Sequence, residues 1–205
     1  MANPHQTIYL ASASPRRREL LKQIGVRYEV LLLRAHPLRM EVDEMPHGDE
    51  DPRDYVRRLA RVKAEVGCMA SRARHLPAYP VLAADTSVIL DGQIIGKPAD
   101  RVEAESILAR LAGRSHEVLT AVAIAFEERV EVMLSVSTVE FAQLDARRIR
   151  QYVASGESHD KAGAYAIQGR AAAFVARLEG SYSGVMGLPL FETTQLLQKF
   201  GIEVI

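Results

Sequence analysis

The sequence predicts a mixed α/β fold in which helices flank a twisted sheet of parallel and antiparallel strands. Apolar runs of strand length alternate with segments of helical periodicity, which is typical of βα units. Two long apolar runs joined by a short charged turn predict an antiparallel hairpin in the same sheet. No linker divides the 205 residues. We therefore expect residues 1–205 to form one domain, elongated enough for two lobes with a central cleft.

The N-terminal segment predicts two strands around one helix. Residues 8–11 form a short apolar run, and Pro15 opens a helix for which Ser14 is the expected N-cap. Residues 28–33 predict a second strand. Residues 34–50 are rich in proline, histidine and acidic residues and predict a long loop, which in a compact domain is usually functional or disordered.

The middle of the chain predicts a long helix, a buried strand and a second helix. Residues 51–72 have helical periodicity, and residues 81–90 form an almost continuous apolar run. Asp91 and Gly92 then form a typical hairpin dipeptide. Residues 101–111 predict the next helix.

The C-terminal half predicts a long hairpin, a helix, two short strands and a final amphipathic helix. The glycine- and serine-rich segment 180–184 predicts a turn before the last helix. The elements are expected, in chain order, at residues 116–126, 130–141, 145–154, 164–167, 172–178 and 188–200.

Composition excludes several classes of protein. Lys+Arg and Asp+Glu both number 26, and this zero net charge argues against a nucleic-acid polymer as partner. Cys68 is the sole cysteine, so an internal disulfide is impossible and a reducing compartment is favoured. No apolar run approaches the roughly 20 residues that cross a membrane, and no signal peptide is visible. We expect a cytoplasmic protein without a membrane partner.

The predicted start of the first helix is a candidate anion site. Ser14 offers a hydroxyl, and Arg16 and Arg17 offer guanidinium groups suited to phosphate. Free backbone N–H groups and the positive end of the helix dipole add to this site. The alternative is a well-capped helix whose arginines are solvated.

Lys63 and Asp85 are anomalous because each charged residue interrupts an apolar surface. Lys63 falls near the middle of the apolar arc of the long helix, where a lysine is costly unless it pairs with a carboxylate or a ligand phosphate. Asp85 interrupts the buried strand 81–90, while its neighbour Thr86 points to the opposite face. The alternatives are a lysine that extends to solvent and an aspartate bonded to backbone amides.

Lys97 and Gln168 are weaker candidates. Lys97 follows the predicted hairpin in the sequence GKP, which lacks the spacing and the hydroxyl residue of a phosphate-binding P-loop. Lys97 by itself is better explained as a solvated loop lysine. Gln168 lies in a strand-like run of small residues, where its amide could recognise the edge of a nucleobase. The alternative is a glutamine on an edge strand.

Seven short motifs follow one another along the chain and together cover almost all of it. They are LASASPRRRELL (residues 10–21), VDE (42–44), ARVKA (60–64), AADT (83–86), GKP (96–98), DKAGAYAIQG (160–169) and GSYSGVMGLP (180–189). In this order they resemble the motifs of the Maf family of nucleotide pyrophosphatases, also called septum-formation-inhibitor-like proteins. Seven colinear matches are far more specific than any one alone.

The resemblance implies a Maf fold, shared with the ITPase-like house-cleaning nucleotide hydrolases, and a homodimer. It implies hydrolysis of a nucleoside triphosphate to the monophosphate and pyrophosphate, with a divalent cation, Mg²⁺ or Mn²⁺, as cofactor. Arg16, Thr86 and Gln168 resemble the subgroup that acts on dTTP and UTP. Another subgroup prefers 7-methyl-GTP and differs at these positions.

The resemblance and the residue chemistry together assign expected roles. Glu44 and Asp85 are the expected metal carboxylates, and Asp85 is the expected general base for the water that attacks the α-phosphorus. Cationic and hydroxyl groups are expected to bind the triphosphate, and Thr86 and Gln168 to recognise the pyrimidine. The expected triphosphate ligands are Ser14, Arg16, Arg17, Lys63 and Lys97. The alternatives are a non-catalytic nucleotide-binding regulator of cell division, a phosphatase that releases orthophosphate stepwise, and a structural interaction module.

Overall fold

A seven-stranded mixed sheet lies at the centre of the computed structural model, which describes residues 6–33 and 42–204. Its strands are β1 (Thr7–Leu10), β2 (Arg27–Val30), β3 (Val81–Leu90), β4 (Gln93–Ile95), β5 (Ser115–Phe126), β6 (Arg129–Phe141) and β7 (Val175–Glu179). They are ordered β2-β1-β3-β5-β6-β7, with β4 paired to β3. β1 is parallel to β2 and β3, and the other pairings are antiparallel. The predicted mixed α/β class is confirmed.

The described residues also form six α-helices and two longer 3₁₀ segments. The helices are α1 (Pro15–Gln23), α2 (Pro52–Ala73), α3 (Arg101–Leu111), α4 (Ala146–Ala154), α5 (Tyr182–Met186) and α6 (Leu190–Lys199). The 3₁₀ segments are Ala162–Ala164 and Arg170–Phe174. No helix in residues 6–33 or 42–204 is long and apolar enough to cross a membrane.

Local capping chemistry explains most helix starts. The Asp51 carboxylate accepts a hydrogen bond from the Arg53 backbone N–H at 2.8 Å and begins α2. Asp145 begins α4 in the same way. Ser14 occupies the predicted N-cap position of α1, but its side chain makes no capping hydrogen bond. Its backbone N–H instead donates to the Ser12 hydroxyl at 3.2 Å.

Two predictions in the C-terminal half are wrong. Residues 164–167 do not form a strand, because Gly163 and Ala164 adopt positive φ angles of 68° and 59° that interrupt an extended backbone. Residues 172–178 are a strand only from Val175 onward, after the second 3₁₀ segment.

The segment that predicted a simple turn contains the short helix α5. Ser181 is its N-cap, and its hydroxyl accepts from the Gly184 backbone N–H at 2.9 Å. The helix ends at Gly187, whose φ of 111° is readily reached by glycine. α5 therefore directs backbone carbonyl groups toward the centre of the sheet.

Helix α2 covers one face of the sheet at unusually short range. A Cβ atom at Gly67 would lie 2.5 Å from Val81 Cγ1, so only glycine permits this approach. Leu59, Ala60 and Ala64 of α2 are fully or almost fully buried in the resulting core. The close packing places Lys63, one turn before Gly67, directly over β3.

The opposite face of the sheet carries two apolar clusters. Ala84 of β3 belongs to the cluster beneath α1 and α6, whereas Val88 belongs to the cluster beneath α3 and α4. Thr86 and its cross-strand neighbour Thr120 lie between them. Because side chains alternate along a strand, Asp85 faces α2 on the other side.

Candidate active site

The candidate site lies where one edge of β3 is open. Along this edge, β3 pairs with the parallel strand β1 at Val81 and Leu82. It pairs with the antiparallel strand β4 at Val88–Leu90. In the described part of the chain, residues 83–87 have no strand partner on this edge. Asp85 and Thr86 lie in this gap, which we call the β3 opening.

An acid–lysine cluster, consisting of Lys63, Asp85 and Glu44, lies on the α2 face of the β3 opening. Lys63 Nζ is 2.8 Å from Asp85 Oδ1 and 2.7 Å from Glu44 Oε1. The Lys63 and Asp85 side chains are only 18% and 12% exposed. The lysine on the apolar arc is thus paired with the aspartate in the apolar strand, so each anomaly explains the other.

The backbone of Glu44 is fastened to α2. The Tyr55 hydroxyl donates to the Glu44 carbonyl oxygen at 2.8 Å. Arg58 donates two hydrogen bonds of 2.7 Å to the Glu50 carboxylate and one of 3.1 Å to the Met45 carbonyl oxygen. The Arg58 guanidinium lowers the pKa of Glu50 to about 2. Residues 42–50 of the predicted loop are therefore held in place, and residues 34–41 lie outside the described residues.

The negative charges of this cluster also shift the pKa values of neighbouring side chains. Burial, together with the nearby carboxylates of Asp85 and Glu44, raises the pKa of Tyr55 to about 12. Burial lowers the pKa of Arg17, whereas Asp85 and Glu44 favour its charged form. Arg17 therefore shares one electrostatic environment with the two candidate metal carboxylates.

The other face of the β3 opening carries Arg17 and two threonines. Arg17 Nε donates to the Gly187 carbonyl oxygen at 2.8 Å, and its Nη1 donates to the Ser12 hydroxyl at 3.2 Å. Its Nη2 lies 3.5 Å from Thr86 Oγ1. Thr86 Oγ1 is in turn 3.0 Å from Thr120 Oγ1. Arg17 thus links α1, β3 and α5, and we call these residues the Arg17–threonine group.

A second set of polar side chains, two lysines and an amide, lies on loops and is termed the loop group: Lys97, Lys161 and Gln168. Gly163 N–H donates to the Gly96 carbonyl oxygen at 3.1 Å, which joins the loops that carry the two lysines. Burial lowers the pKa of Lys161, and the positive charges of Arg16 and Lys97 lower it further. Three cations from separate segments therefore influence one another.

An aromatic cluster supports the loop group. Tyr165 packs edge-on against Phe141 and His116, and its hydroxyl lies 2.8 Å from His116 Nε2. The Tyr152 hydroxyl accepts from the Ala166 backbone N–H at 3.1 Å. Burial lowers the pKa of His116 to about 4. These contacts hold residues 162–167 without the strand pairing that the sequence predicts.

The structure brings some predicted residues together and separates others. Ser14 and Arg16 are half-buried at the start of α1, close to the Arg17–threonine group. Lys97 is exposed on its loop. Gln168 is also exposed, in a turn, so the expectation of an amide within a strand is wrong. No hydrogen bond joins Gln168 to another candidate residue in the part of the chain that the structure describes.

Sequence reasoning missed four residues that shape this site: Tyr55, Arg58, Thr120 and Lys161. By sequence, Tyr55 belongs to the apolar arc of the long helix and Arg58 to its polar side, so neither is distinguished from an ordinary core or surface residue. Thr120 sits in an apolar strand, where threonine is ordinary. Lys161 had a signal, since it is a cation two residues before a glycine in one of the seven motifs.

The side chains present fit a divalent cation that also binds its substrate. Glu44 and Asp85 supply carboxylate oxygens on either side of Lys63 Nζ. In the described ranges, no group of three or more His, Cys, Asp and Glu side chains converges as a metal cage. Mg²⁺ commonly uses one or two carboxylates plus substrate phosphates, and this donor set matches that pattern.

The fold and these residues define an α/β protein with paired acids and gathered cations at an open strand edge. Comparison with known families makes the class specific. The family described as "Maf-like protein" matches residues 7–200, so the chain belongs to the Maf family.

Individual relatives match over nearly the whole chain. A protein of Nitrosomonas europaea named dTTP/UTP pyrophosphatase is 55% identical over 198 residues, which is 96% of each chain. A protein of Aromatoleum aromaticum with the same name is 56% identical over 95% of each chain. Among solved structures, the Staphylococcus aureus Ham1 protein matches with a TM-score of 0.47 and 18% identity, over 66% of this chain and 72% of that one.

Proposed function

We propose that this protein hydrolyses dTTP and UTP to the nucleoside monophosphate and pyrophosphate. The relatives named for this activity are similar to it over almost its full length. The observation that carries the proposal is the acid–lysine cluster: a little-exposed aspartate held by a lysine at the open edge of a central strand. Buried ionisable groups of this kind concentrate at functional sites.

The cations around the β3 opening provide for the triphosphate. A nucleoside triphosphate carries about four negative charges, which require several cations and backbone dipoles. Arg16 and Arg17, with the first backbone N–H groups of α1 beyond Ser14, form one binding surface. Lys63 and Lys97 add positive charge from α2 and from the loop group. Lys161 belongs to the same electrostatic set.

Asp85 is the proposed general base. Lys63 holds Oδ1, so Oδ2 is the oxygen that accepts a proton from the attacking water. The water oxygen forms a bond to the α-phosphorus, and the bond from that phosphorus to the bridging oxygen of the β-phosphate breaks. Pyrophosphate leaves with the bonding electron pair. The lysine and arginine side chains neutralise its charge as it develops.

Glu44 and Asp85 are the proposed carboxylate ligands for Mg²⁺ or Mn²⁺. When bound, the cation supplies additional positive charge to the phosphate chain. Lys63 would then share both acids with the cation, and its short contacts hold them in position beforehand. Arg58 and Tyr55 fix the segment that carries Glu44.

Thr86 and Gln168 are the proposed residues for recognition of the pyrimidine. Thr86 lies at the β3 opening, and Gln168 is exposed. Recognition by hydrogen bonds rejects a mismatched base strongly, because its polar groups remain unpaired. We further propose a single-domain homodimer that works in the cytoplasm without a nucleic-acid polymer.

Product analysis tests the activity. Purified protein is incubated with dTTP, UTP, CTP and 7-methyl-GTP, with Mg²⁺, with Mn²⁺ and with chelator, in water enriched in ¹⁸O. We expect dTTP and UTP to be hydrolysed with added metal, and the label to enter the monophosphate, as attack at the α-phosphorus requires. Label in pyrophosphate, release of orthophosphate and diphosphate, preference for 7-methyl-GTP, or binding without hydrolysis would each contradict the proposal.

A further inference from the structure

Gln168, one of the proposed residues for base recognition, lies in a tight turn. The Gly169 backbone N–H donates to the Ala166 carbonyl oxygen at 3.0 Å and closes this turn. Its two central residues differ in burial, since Ile167 is 4% exposed whereas Gln168 is exposed. Ile167 therefore anchors the turn in the core, and Gln168 lies on its exposed side.

A carboxylate that the proposed reaction does not use holds one end of this turn. Glu157 Oε2 accepts a hydrogen bond from the Arg170 backbone N–H at 2.8 Å. Its Oε1 is 3.6 Å from Arg170 Nε, and the glutamate side chain is 30% exposed. At the other end, the Tyr152 hydroxyl accepts from the Ala166 backbone N–H at 3.1 Å. Helix α4 and the loop after it thus hold both ends of the turn that carries Gln168.

Gly169 shows how closely this carboxylate packs against the turn. A Cβ atom at Gly169 would collide with Glu157 Oε2. The φ angle of Gly169 is −102°, which other residues also adopt. The close approach of the carboxylate, and not the backbone conformation, therefore favours glycine here. Because the end of a glutamate side chain is flexible, a larger residue at this position would displace the carboxylate from the Arg170 N–H.

We propose that Glu157 is a positioning residue that holds the Gln168 turn in the conformation required for recognition of the pyrimidine. A hydrogen bond from a backbone N–H to an ionised carboxylate is stronger than one to a neutral acceptor. Without this bond the turn occupies other conformations for part of the time, and recognition weakens with the fraction that is lost. The inference rests on the proposed function, which assigns Gln168 to the base.

The first test compares Glu157→Ala with Glu157→Gln. Alanine removes the acceptor, whereas glutamine has nearly the shape of glutamate and keeps an oxygen for the Arg170 N–H. We expect Glu157→Ala to lower the ratio of kcat/KM for UTP to kcat/KM for GTP about fivefold, the usual scale of one hydrogen bond. Glu157→Gln should keep the wild-type ratio. Glu128, which is 96% exposed in the β5–β6 turn, is the control position, and Glu128→Ala should also keep this ratio.

Two further measurements connect Glu157 to Gln168 directly. In a protein that already carries Gln168→Ala, Glu157→Ala should not lower the ratio further, because the recognising amide is absent. Gly169→Ala should lower the ratio as Glu157→Ala does, and the two substitutions together should have no greater effect than either alone. Hydrogen exchange at the Arg170 amide should accelerate in both single variants but not in Glu157→Gln.

Several outcomes would overturn the inference. A purely structural role of Glu157 would lower kcat/KM for both nucleotides equally, and a purely electrostatic role would make Glu157→Gln behave like Glu157→Ala. An effect of Glu157→Ala that adds to that of Gln168→Ala would exclude action through the amide. If Glu157→Ala does not fold, an unchanged ratio in Gly169→Ala overturns the inference instead.

Failure of the inference is distinguishable from failure of the proposed function. If Gln168→Ala has the same ratio of kcat/KM values as the wild-type enzyme, the inference fails while the proposed hydrolysis stands. If the wild-type enzyme cleaves no triphosphate, the proposed function itself fails.

Discussion

The acid–lysine cluster and the loop group differ in how far their charges are already paired. In the acid–lysine cluster, Lys63 lies within 2.8 Å of both carboxylates and is only 18% exposed. In the loop group, Lys97 and Gln168 are exposed, and the burial of Lys161 beside Arg16 and Lys97 lowers its pKa. One set of polar groups is satisfied within the protein, whereas the other gathers like charges.

The difference indicates a division of labour. Preorganised charge is most valuable where the transition state develops charge, because nothing has to reorganise at the moment of reaction. Exposed groups on loops can instead adapt to the substrate and release the product. The acid–lysine cluster should therefore control the rate of chemistry, and the loop group should control binding and choice of substrate.

Asp85→Asn should have the largest effect. Asparagine fits the same space but cannot accept a proton, so we expect kcat for dTTP to fall at least about a hundredfold, the range for loss of a general base. KM should change far less. Steady-state pyrophosphate release measures both constants. Asp91→Asn, in the β3–β4 turn, is the matched control and should retain wild-type activity. A kcat for Asp85→Asn near that of the control would remove Asp85 from the mechanism.

His116 should make the free energy of unfolding depend on pH. It should not make the acid–lysine cluster depend on pH. Burial lowers its pKa from 6.5 to about 4, so the folded state favours the neutral ring. Its contribution is complete above about pH 6.5 and is lost as pH falls through 4. We expect the free energy of unfolding to fall by about 2 kcal/mol more between about pH 7.5 and 5 than in His116→Gln. Urea titrations at both pH values measure this difference.

The exposed histidine His159 supplies the control for that experiment. His159→Gln should keep the wild-type dependence of stability on pH, because its ring is 79% exposed. If His116→Gln also keeps the wild-type dependence of stability on pH, the neutral buried ring does not support the loop group. Below about pH 4.5, protonation of Glu50, whose pKa is lowered to about 2, adds a further loss in both proteins.

The sequence was sufficient to predict the structure wherever the signal lies in neighbouring residues. Asp91 and Gly92 have φ angles of 52° and 75°, as the predicted hairpin turn requires. β3 and α3 have the predicted bounds. Lys63 and Asp85 each violated an apolar pattern, and their mutual contact follows because two buried opposite charges stabilise each other. Their pairing was therefore predictable, although their partner Glu44 came from the family resemblance alone.

The remaining features of the fold and the site depend on tertiary contacts that leave no signal in the local sequence. The run AGAYAIQ is compatible with a strand by composition, but a Cβ atom at Gly163 would lie 2.8 Å from Val88 Cγ2. The chain is pressed against β3 there, and its positive φ interrupts the strand. Thr120 likewise looks like an ordinary strand residue until Thr86 and Gly184 are placed around it. Both features are products of packing between distant segments.

Gln168→Ala should alter selectivity more than rate. The side chain is exposed and lies outside the acid–lysine cluster, so kcat for dTTP should fall no more than about threefold. The preference for UTP over GTP should fall by about tenfold, because a hydrogen bond to the base is lost. Competition between the two nucleotides in one reaction measures the ratio. Gln143→Ala is the control, and unchanged ratios in Gln168→Ala would exclude the loop group from base choice.

Arg58→Lys should have the smallest effect and tests what holds Glu44 in the acid–lysine cluster. Lysine keeps the charge but cannot form the two parallel bonds of 2.7 Å to Glu50 together with the bond to Met45. The segment carrying Glu44 should loosen, and we expect the Mg²⁺ or Mn²⁺ concentration at half-maximal rate to rise about threefold, with kcat nearly unchanged.

Arg57→Lys alters an exposed pair with Asp54 on the same helix and should leave the metal titration unchanged. If both variants titrate like the wild type, Tyr55 alone is sufficient to position Glu44. A loss of kcat in Arg58→Lys would instead show that the segment orients Asp85.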